Sequence, residues 1–305
     1  MHIIKLIPIA VILITTFGAC NQSAMSQNDQ TGLYDSEAFK NYWYAGKAEV
    51  NAYNLDQSRY GENRQGKAML IFVTEAFSKS KQVKLDNPEA AGDEKITVLK
   101  LNYTKNFITG IYPYSMMLSS FTPVSRNQHP NTLKVTMTSQ EWCGHVFSQM
   151  NLEKNKYDVS SYSYFEKEGD VQFSTEKVLL EDELFNLIRL DPDHIPLGKI
   201  KILPGLFFTR LKHENLKPVE ATLSKESKNS ETIYSLQFEG RLLTINVANA
   251  FPHKILGWEE EFVEGEKKMY TKATLDKTLY TDYWGKNKNE HSGLRDSLGL
   301  SPTNY

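Results

Sequence analysis

The stretch Gln140-Glu141-Trp142-Cys143-Gly144-His145-Val146-Phe147 concentrates the side chains of this chain best suited to chemistry. Run as an extended strand, it puts Glu141, Cys143 and His145 on one face and Trp142 and Val146 on the other, because side chains alternate across a strand. Same-face neighbours then stand about 6.5–7 Å apart, close enough for their side chains to meet. A thiol beside an imidazole is a nucleophile next to a base, and the carboxylate could orient the ring. The chemistry would be thiol-dependent hydrolysis or group transfer. Against it stands a structural reading, since a free cysteine is among the most buried residue types. No fourth ligand accompanies the three, and His194 and His213 lie in separate segments, so neither a metal nor a cofactor is implied.

Three other stretches carry chemistry of a weaker kind. Tyr112-Pro113-Tyr114-Ser115-Met116-Met117 is an aromatic and methionine patch; exposed, Tyr112, Tyr114, Met116 and Met117 would receive a lipid or a peptide, and buried they would be core. Leu190-Asp191-Pro192-Asp193-His194 joins two carboxylates to a histidine, in the composition of a solvated turn after a helix. Glu259-Glu260-Glu261 follows Trp258, but on a strand these carboxylates alternate faces rather than converge.

The elements that must position these residues follow an unusual start. Lys5, the apolar run Leu6 to Ile14 and Phe17-Gly18-Ala19-Cys20 form a signal-peptide pattern with a lipid-acceptor cysteine. The run is far below the roughly 20 apolar residues of a spanning helix. Residues 1–19 are expected to be removed, leaving Cys20 as the site of lipid attachment, with two or three acyl chains for stable anchoring. Asn21 to Thr31 is Asn, Gln, Ser and Asp with almost no apolar residues, a polar tether, so 20–33 is expected to be flexible. Asn21, Gln22 and Ser23 carry no charge, which by the lipoprotein sorting rules points to the periplasmic face of the outer membrane.

From residue 34 to 305 the chain reads as a single β-rich domain, with a fallback boundary at 192–204. Lys and Arg number 35 against 37 Asp and Glu, so no basic field for nucleic acid is present. With Cys20 acylated, Cys143 has no cysteine to pair with in an oxidising compartment. Ala68 to Val73 is a continuous apolar run, the pattern of a strand buried on both faces. Ile96 to Tyr103, Lys134 to Met137 and Ile233 to Phe238 alternate apolar with polar, as half-exposed antiparallel strands do. Gly61, Gly240 and Gly265 mark tight turns, while Asn106 to Gly110 suggests a longer hairpin loop and Lys225 to Ser230 and Pro88 to Glu94 exposed tips. Helices are expected at Glu181 to Arg189, at Ser36 to Tyr42 and around Leu294 to Leu298 behind Ser292. So many strands must curl or close, which gives a mainly β fold: a large curved antiparallel sheet, half-barrel or barrel-like, with one or two short helices.

Four runs also resemble one family. Tyr42-Trp43-Tyr44 with Gly46-Lys47-Ala48-Glu49, Gly110 to Met117, Gln140 to His145 and Tyr164-Phe165-Glu166-Lys167-Glu168-Gly169-Asp170 are similar to a family of Bacteroidetes lipoproteins of no assigned activity. Several members carry the label septum formation inhibitor Maf. The resemblance spans Tyr42 to Trp284 and brings no catalytic residues. Maf pyrophosphatases have an N-terminal Ser-Pro-Arg-Arg element, whereas Ser-Pro here occurs at Ser301-Pro302. Two functions follow as expectations. One is a non-catalytic binding or carrier module, anchored to the membrane through its N-terminal lipid, for an apolar ligand or an envelope protein. The alternative is an envelope enzyme using Cys143 and His145.

Overall fold

The computed structural model describes residues 36–300, so the signal segment, Cys20 and the tether lie outside the described residues. Strands β1 (Ala48–Arg59), β2 (Glu62–Ser78), β3 (Lys95–Thr109), β4 (Tyr112–Pro123), β5 (Lys134–Glu141), β6 (Gly144–Glu153), β7 (Lys156–Ser163) and β8 (Val171–Glu176) form a meander. After β9 (Leu179–Leu180), a second meander runs through β10 (Gly198–Leu203), β11 (Val219–Lys228), β12 (Glu231–Phe238), β13 (Arg241–Ala248), β14 (Ile255–Glu264) and β15 (Lys267–Thr281). Pairing of β1 with β15 joins the two meanders into one 15-stranded sheet, from β8 through β1 and β15 to β9. Neighbours are antiparallel except β9 and β10, and the terminal strands β8 and β9 do not pair, so the curved sheet stays open. The segment 192–204 carries β10 and belongs to this sheet.

Side-chain alternation explains the curvature's inside and outside. From Arg241 to Ala248 every second residue of β13 is buried and the residues between are half-buried. β2 differs at its centre, where Ala68, Leu70 and Phe72 enter the main core while Met69 and Val73 pack outward with Ala48, Val50 and Leu298. That outer cluster includes the residue directly after α4 (Gly293–Ser297), so the C-terminal segment covers the convex face there. Ala68 to Val73 is therefore the doubly buried strand its composition predicts.

The tight turns fall where glycine permits them. Tyr60 and Gly61 both take positive φ, 56° and 72°, the pattern of a type I′ hairpin turn. Glu239 and Gly240 repeat it with 40° and 76°. The loop expected at Asn106 to Gly110 is instead strand: β3 runs through Thr109 and turns only at Gly110 and Ile111. Its Phe107 and Thr109 are buried while Ile108 is exposed, so the period-two pattern continues to the turn. Likewise β11 continues to Lys228, and only Asn229 and Ser230 form the turn of that expected tip. Gly66 and Gly257 serve a different purpose, since a Cβ there would run into the Asn106 and Ala273 carbonyl oxygens of the neighbouring strands.

Helix α1 (Glu37–Trp43) starts as expected at Ser36, whose Oγ accepts the Phe39 N–H at 3.1 Å. A one-turn helix, Glu181–Glu183, leads into α2 (Leu184–Leu190), all seven residues of which are buried within the curve of the sheet. Asn186 fixes it there, its Nδ2 donating to the Leu99 carbonyl at 3.1 Å and to Thr122 Oγ1 at 2.9 Å. Arg189 donates twice to Glu49 of β1, at 2.8 Å each, and both side chains are fully buried. Burial pushes Glu49 up, but Arg189, Tyr42 and Asn51 together hold it at about 2. A third interior helix, α3 (Leu206–Lys212), has no counterpart among the expected ones. Leu206-Phe207-Phe208 is an apolar run too short to distinguish helix from strand by period. The interior is closed by aromatic rings: Trp258 lies 4.8 Å from Tyr53, 5.3 Å from Tyr103 and 5.7 Å from Phe185 between ring centroids.

Candidate functional site

At the end of the sheet where β1 turns into β2, the chemistry-bearing side chains collect around α3. Inside, Arg241 at the start of β13 donates to both oxygens of Glu181 and, through Nε at 3.0 Å, to Glu260. Glu181 also accepts the Gly205 N–H at 3.0 Å, and Asp182 accepts the Leu206 N–H, so two carboxylates hold the entry to α3. Lys105 of β3 donates to Gln57 Oε1 at 3.2 Å, and its Nζ lies 5.5 Å from the Phe207 ring.

These environments shift the protonation of the groups in opposite directions. Burial, followed by the charge of Glu181, pushes Asp182 up to about 8. Burial lowers Lys105, while the nearby Glu260 pulls it back up. Burial would raise Glu260 too, but Arg241 and Lys105 hold it below the ordinary carboxylate value. Two small cavities border this cluster and share Lys105, Phe207, Phe208 and Glu260 in their walls. Each has room for about one or two water molecules. Side chains of the sheet, α2 and α3 thus occupy the interior that a half-barrel could have left as an apolar groove.

The outer end of α3 is clasped from two sides. Arg59, the last residue of β1, donates to the Leu211 carbonyl and, at 3.2 Å, to Tyr114 Oη. Glu168, in the loop between β7 and β8, accepts from Arg210 at 3.0 Å and meets His213 Nδ1 at 2.6 Å. Burial raises Glu168, but bonds from Ser163 and His213 and the charge of Arg210 bring it below its ordinary value.

Aromatic side chains continue outward from this clasp over successive hairpin ends. Tyr60 Oη bonds Tyr114 Oη at 2.8 Å and Tyr112 Oη at 3.3 Å. The Tyr112 ring centroid stands 6.4 Å from that of Trp142, and Tyr164 lies so close over Gly144 that a Cβ there would come within 2.7 Å of its ring. Trp142 and Tyr164 are 68% and 73% exposed and Ile111 77%, so the ledge ends in bare apolar tips.

The expected strand through Cys143 is a hairpin. Glu141 ends β5, Gly144 begins β6 and opposes it, and Trp142 and Cys143 form the turn between them. The reversal changes which residues share a face: Ser139 and Val146 pair and are buried, whereas Gln140 and His145 pair and are exposed. Glu141 and His145 consequently stand on opposite faces, and the expected triad does not assemble. Cys143 is exposed, its own N–H donates to Glu141 Oε2 at 2.6 Å, and the bond and charge of Glu141 push its thiol up. A nucleophilic cysteine needs the reverse shift. Gly144, which opens β6 after the turn, leaves by its missing Cβ the space that Tyr164 fills.

The Tyr112 to Met117 patch divides in two. Tyr114 and Met116 are buried core, Tyr112 packs against that core at half burial, and Met117 faces outward, 40% exposed. His194 pairs with Asp191 at 2.7 Å in an exposed turn, as its composition predicts. The Glu259 to Glu261 run alternates faces as expected, with Glu260 inside on Arg241, and Glu259 and Glu261 reaching Lys272 and Lys268 on β15. Sequence reasoning missed Arg59, Lys105, Glu181, Arg210 and Arg241, which carry the charged interior and its clasp. Among the described residues no group of three or more His, Cys, Asp and Glu could hold a metal ion, and no helix is long and apolar enough to cross a membrane.

Compared with known protein families and with curated proteins, the chain has no match. Among solved structures, it is similar to the β-barrel-like protein of domain of unknown function DUF1849 from Brucella abortus, at 8% identity and a TM-score of 0.45. The alignment covers 77% of this chain and 98% of that one.

Proposed function

We propose that this chain is a non-catalytic binding module of the cell envelope, held at the periplasmic face of the outer membrane by lipid on Cys20. It engages an envelope partner through its exposed aromatic ledge rather than carrying an apolar cargo within the sheet. The observation that carries this reading is the filled interior: α2 and α3 occupy the concave side, and Arg189, Arg241, Glu49, Glu181 and Glu260 are committed to one another there. A carrier of lipid chains needs an open apolar volume, typically several hundred Å³ for a drug-sized ligand, and the two cavities bordering α3 are far smaller. The raised thiol of Cys143, in a turn that separates Glu141 from His145, weighs against the thiol enzyme.

Mass spectrometry of an organic extract of the purified chain tests the proposal. Lipid covalently bound at Cys20 and no stoichiometric free lipid is the expected result. A stoichiometric, non-covalent apolar molecule would restore the cargo carrier.

A further inference from the structure

The ledge is built from the tips of separate hairpins, not from a cleft. Tyr60 stands at the β1–β2 turn, Ile111 at β3–β4, Trp142 at β5–β6 and Tyr164 just after β7. They are 52%, 77%, 68% and 73% exposed. The tyrosine and tryptophan rings among them follow one another through the contacts of Tyr60 with Tyr112, Tyr112 with Trp142, and Tyr164 with Gly144, so they form one surface.

Three features select the kind of partner. A row of convex tips cannot enclose a peptide or a small molecule, but it can press into a soft, flat surface. Trp and Tyr join an apolar ring to a polar end, which suits them to the boundary between hydrocarbon and headgroup, and Ile111 supplies a purely apolar tip. Three carboxylates beside the tips are already engaged: Glu62 by Arg64, Glu141 by the Cys143 N–H, and Glu168 by Arg210 and His213. The cations there are matched in the same way, Arg59 by the Leu211 carbonyl and Tyr114, Arg64 by Glu62 and Arg210 by Glu168, and in the Tyr164 loop Lys167 follows Glu166, so no excess of positive charge selects anionic lipid.

We infer that the hairpin tips carrying Ile111, Trp142 and Tyr164 dock on the headgroup boundary of a zwitterionic lipid bilayer. This deepens the binding-module reading by naming its partner, and it rests on that reading. The chain enters the fold at α1, which packs by Trp43 and Phe72 near the opposite ends of β1 and β2 from the Tyr60 turn. The geometry thus suits contact with a second lipid surface as well as with the anchoring one, reached by the polar tether.

Cys143 supplies the reporter, because it is exposed between Trp142 and Gly144. The full acylated chain, labelled there with an environment-sensitive dye, is reconstituted into phosphatidylcholine vesicles. Its retention and its mass establish acylation before docking is measured, which separates failure of the anchor from failure of the ledge. A headgroup-level lipid quencher is then placed either in the anchoring vesicles or in added anchor-free ones. Dye quenching in either arrangement, weakened at least about tenfold in apparent affinity by Ile111→Asp and by Trp142→Asp with the melting temperature unchanged, is the expected result. No quenching in either arrangement, or quenching unaffected by both substitutions, would overturn the inference.

Discussion

Arg241 shows how much one residue can carry in this fold. Its guanidinium is 3% exposed and holds Glu181 and Glu260, themselves 8% and 11% exposed, so three charges share one buried site. Burial disfavours the charged guanidinium, and the two carboxylates more than offset that, leaving its proton held above the ordinary value. Removing one member of a buried pair strands the other charge, at a cost of about 3–5 kcal/mol. Arg241→Met is therefore expected to lower the unfolding free energy by about that amount in a denaturant titration. Adding Glu181→Gln and Glu260→Gln to the same chain should recover part of the loss, because the stranded charges go with them. If Arg241→Met unfolds at the wild-type midpoint, the ion cluster does not stabilise the interior.

At the scale of elements, α2 and α3 lie in the same concavity but are held differently. α2 is locked by buried bonds from Asn186 and Arg189 to β1, β3 and β4. α3 is held at its outer end by Arg59 and by the Arg210–Glu168 pair, whose carboxylate is 23% exposed and belongs to a loop. Elements held by few buried contacts open first. Hydrogen exchange should show α3 amides exchanging before those of α2. Glu168→Ala should speed α3 exchange further while leaving α2 protection nearly unchanged, since the Arg210 guanidinium it strands is buried on α3 and touches nothing that holds α2. Equal exchange of the two helices before and after the substitution would refute the distinction.

For the whole molecule, the two carboxylates with the largest opposed shifts set a pH window. Glu49 falls from an ordinary 4.5 to about 2 in the fold, so its contribution is present above 4.5 and is lost as pH falls toward 2. Asp182 rises from 3.8 to about 8, so the folded chain holds a proton that the unfolded chain releases; its contribution is present below 3.8 and is lost as pH rises through 8. Together they place their joint optimum near the mildly acidic crossing and predict a melting temperature that declines from pH 5 toward 8. Asp182→Asn keeps an acceptor for the Leu206 N–H and removes the titration, so thermal scans across that range should flatten. A variant that declines as steeply as the parent would assign the slope to other groups.

The features legible in the amino-acid order alone are local. Alternation every second residue makes the strands and sets Glu259 to Glu261 on alternate faces, and Ser36 caps α1, because each depends on neighbours within a turn or two. The large curved sheet was legible for the same reason. The remaining features depend on contacts between distant segments. Arg241 meets Glu181 across 60 residues and Arg189 meets Glu49 across 140, pairings set by strand order and by where α2 enters the concavity. α3 takes its shape from the carboxylates at its start and the clasp at its end, not from its seven residues' own period. The division of Glu141 from His145 came from a two-residue turn, since inserting a reversal into a period-two pattern moves every following side chain to a face that spacing alone does not reveal.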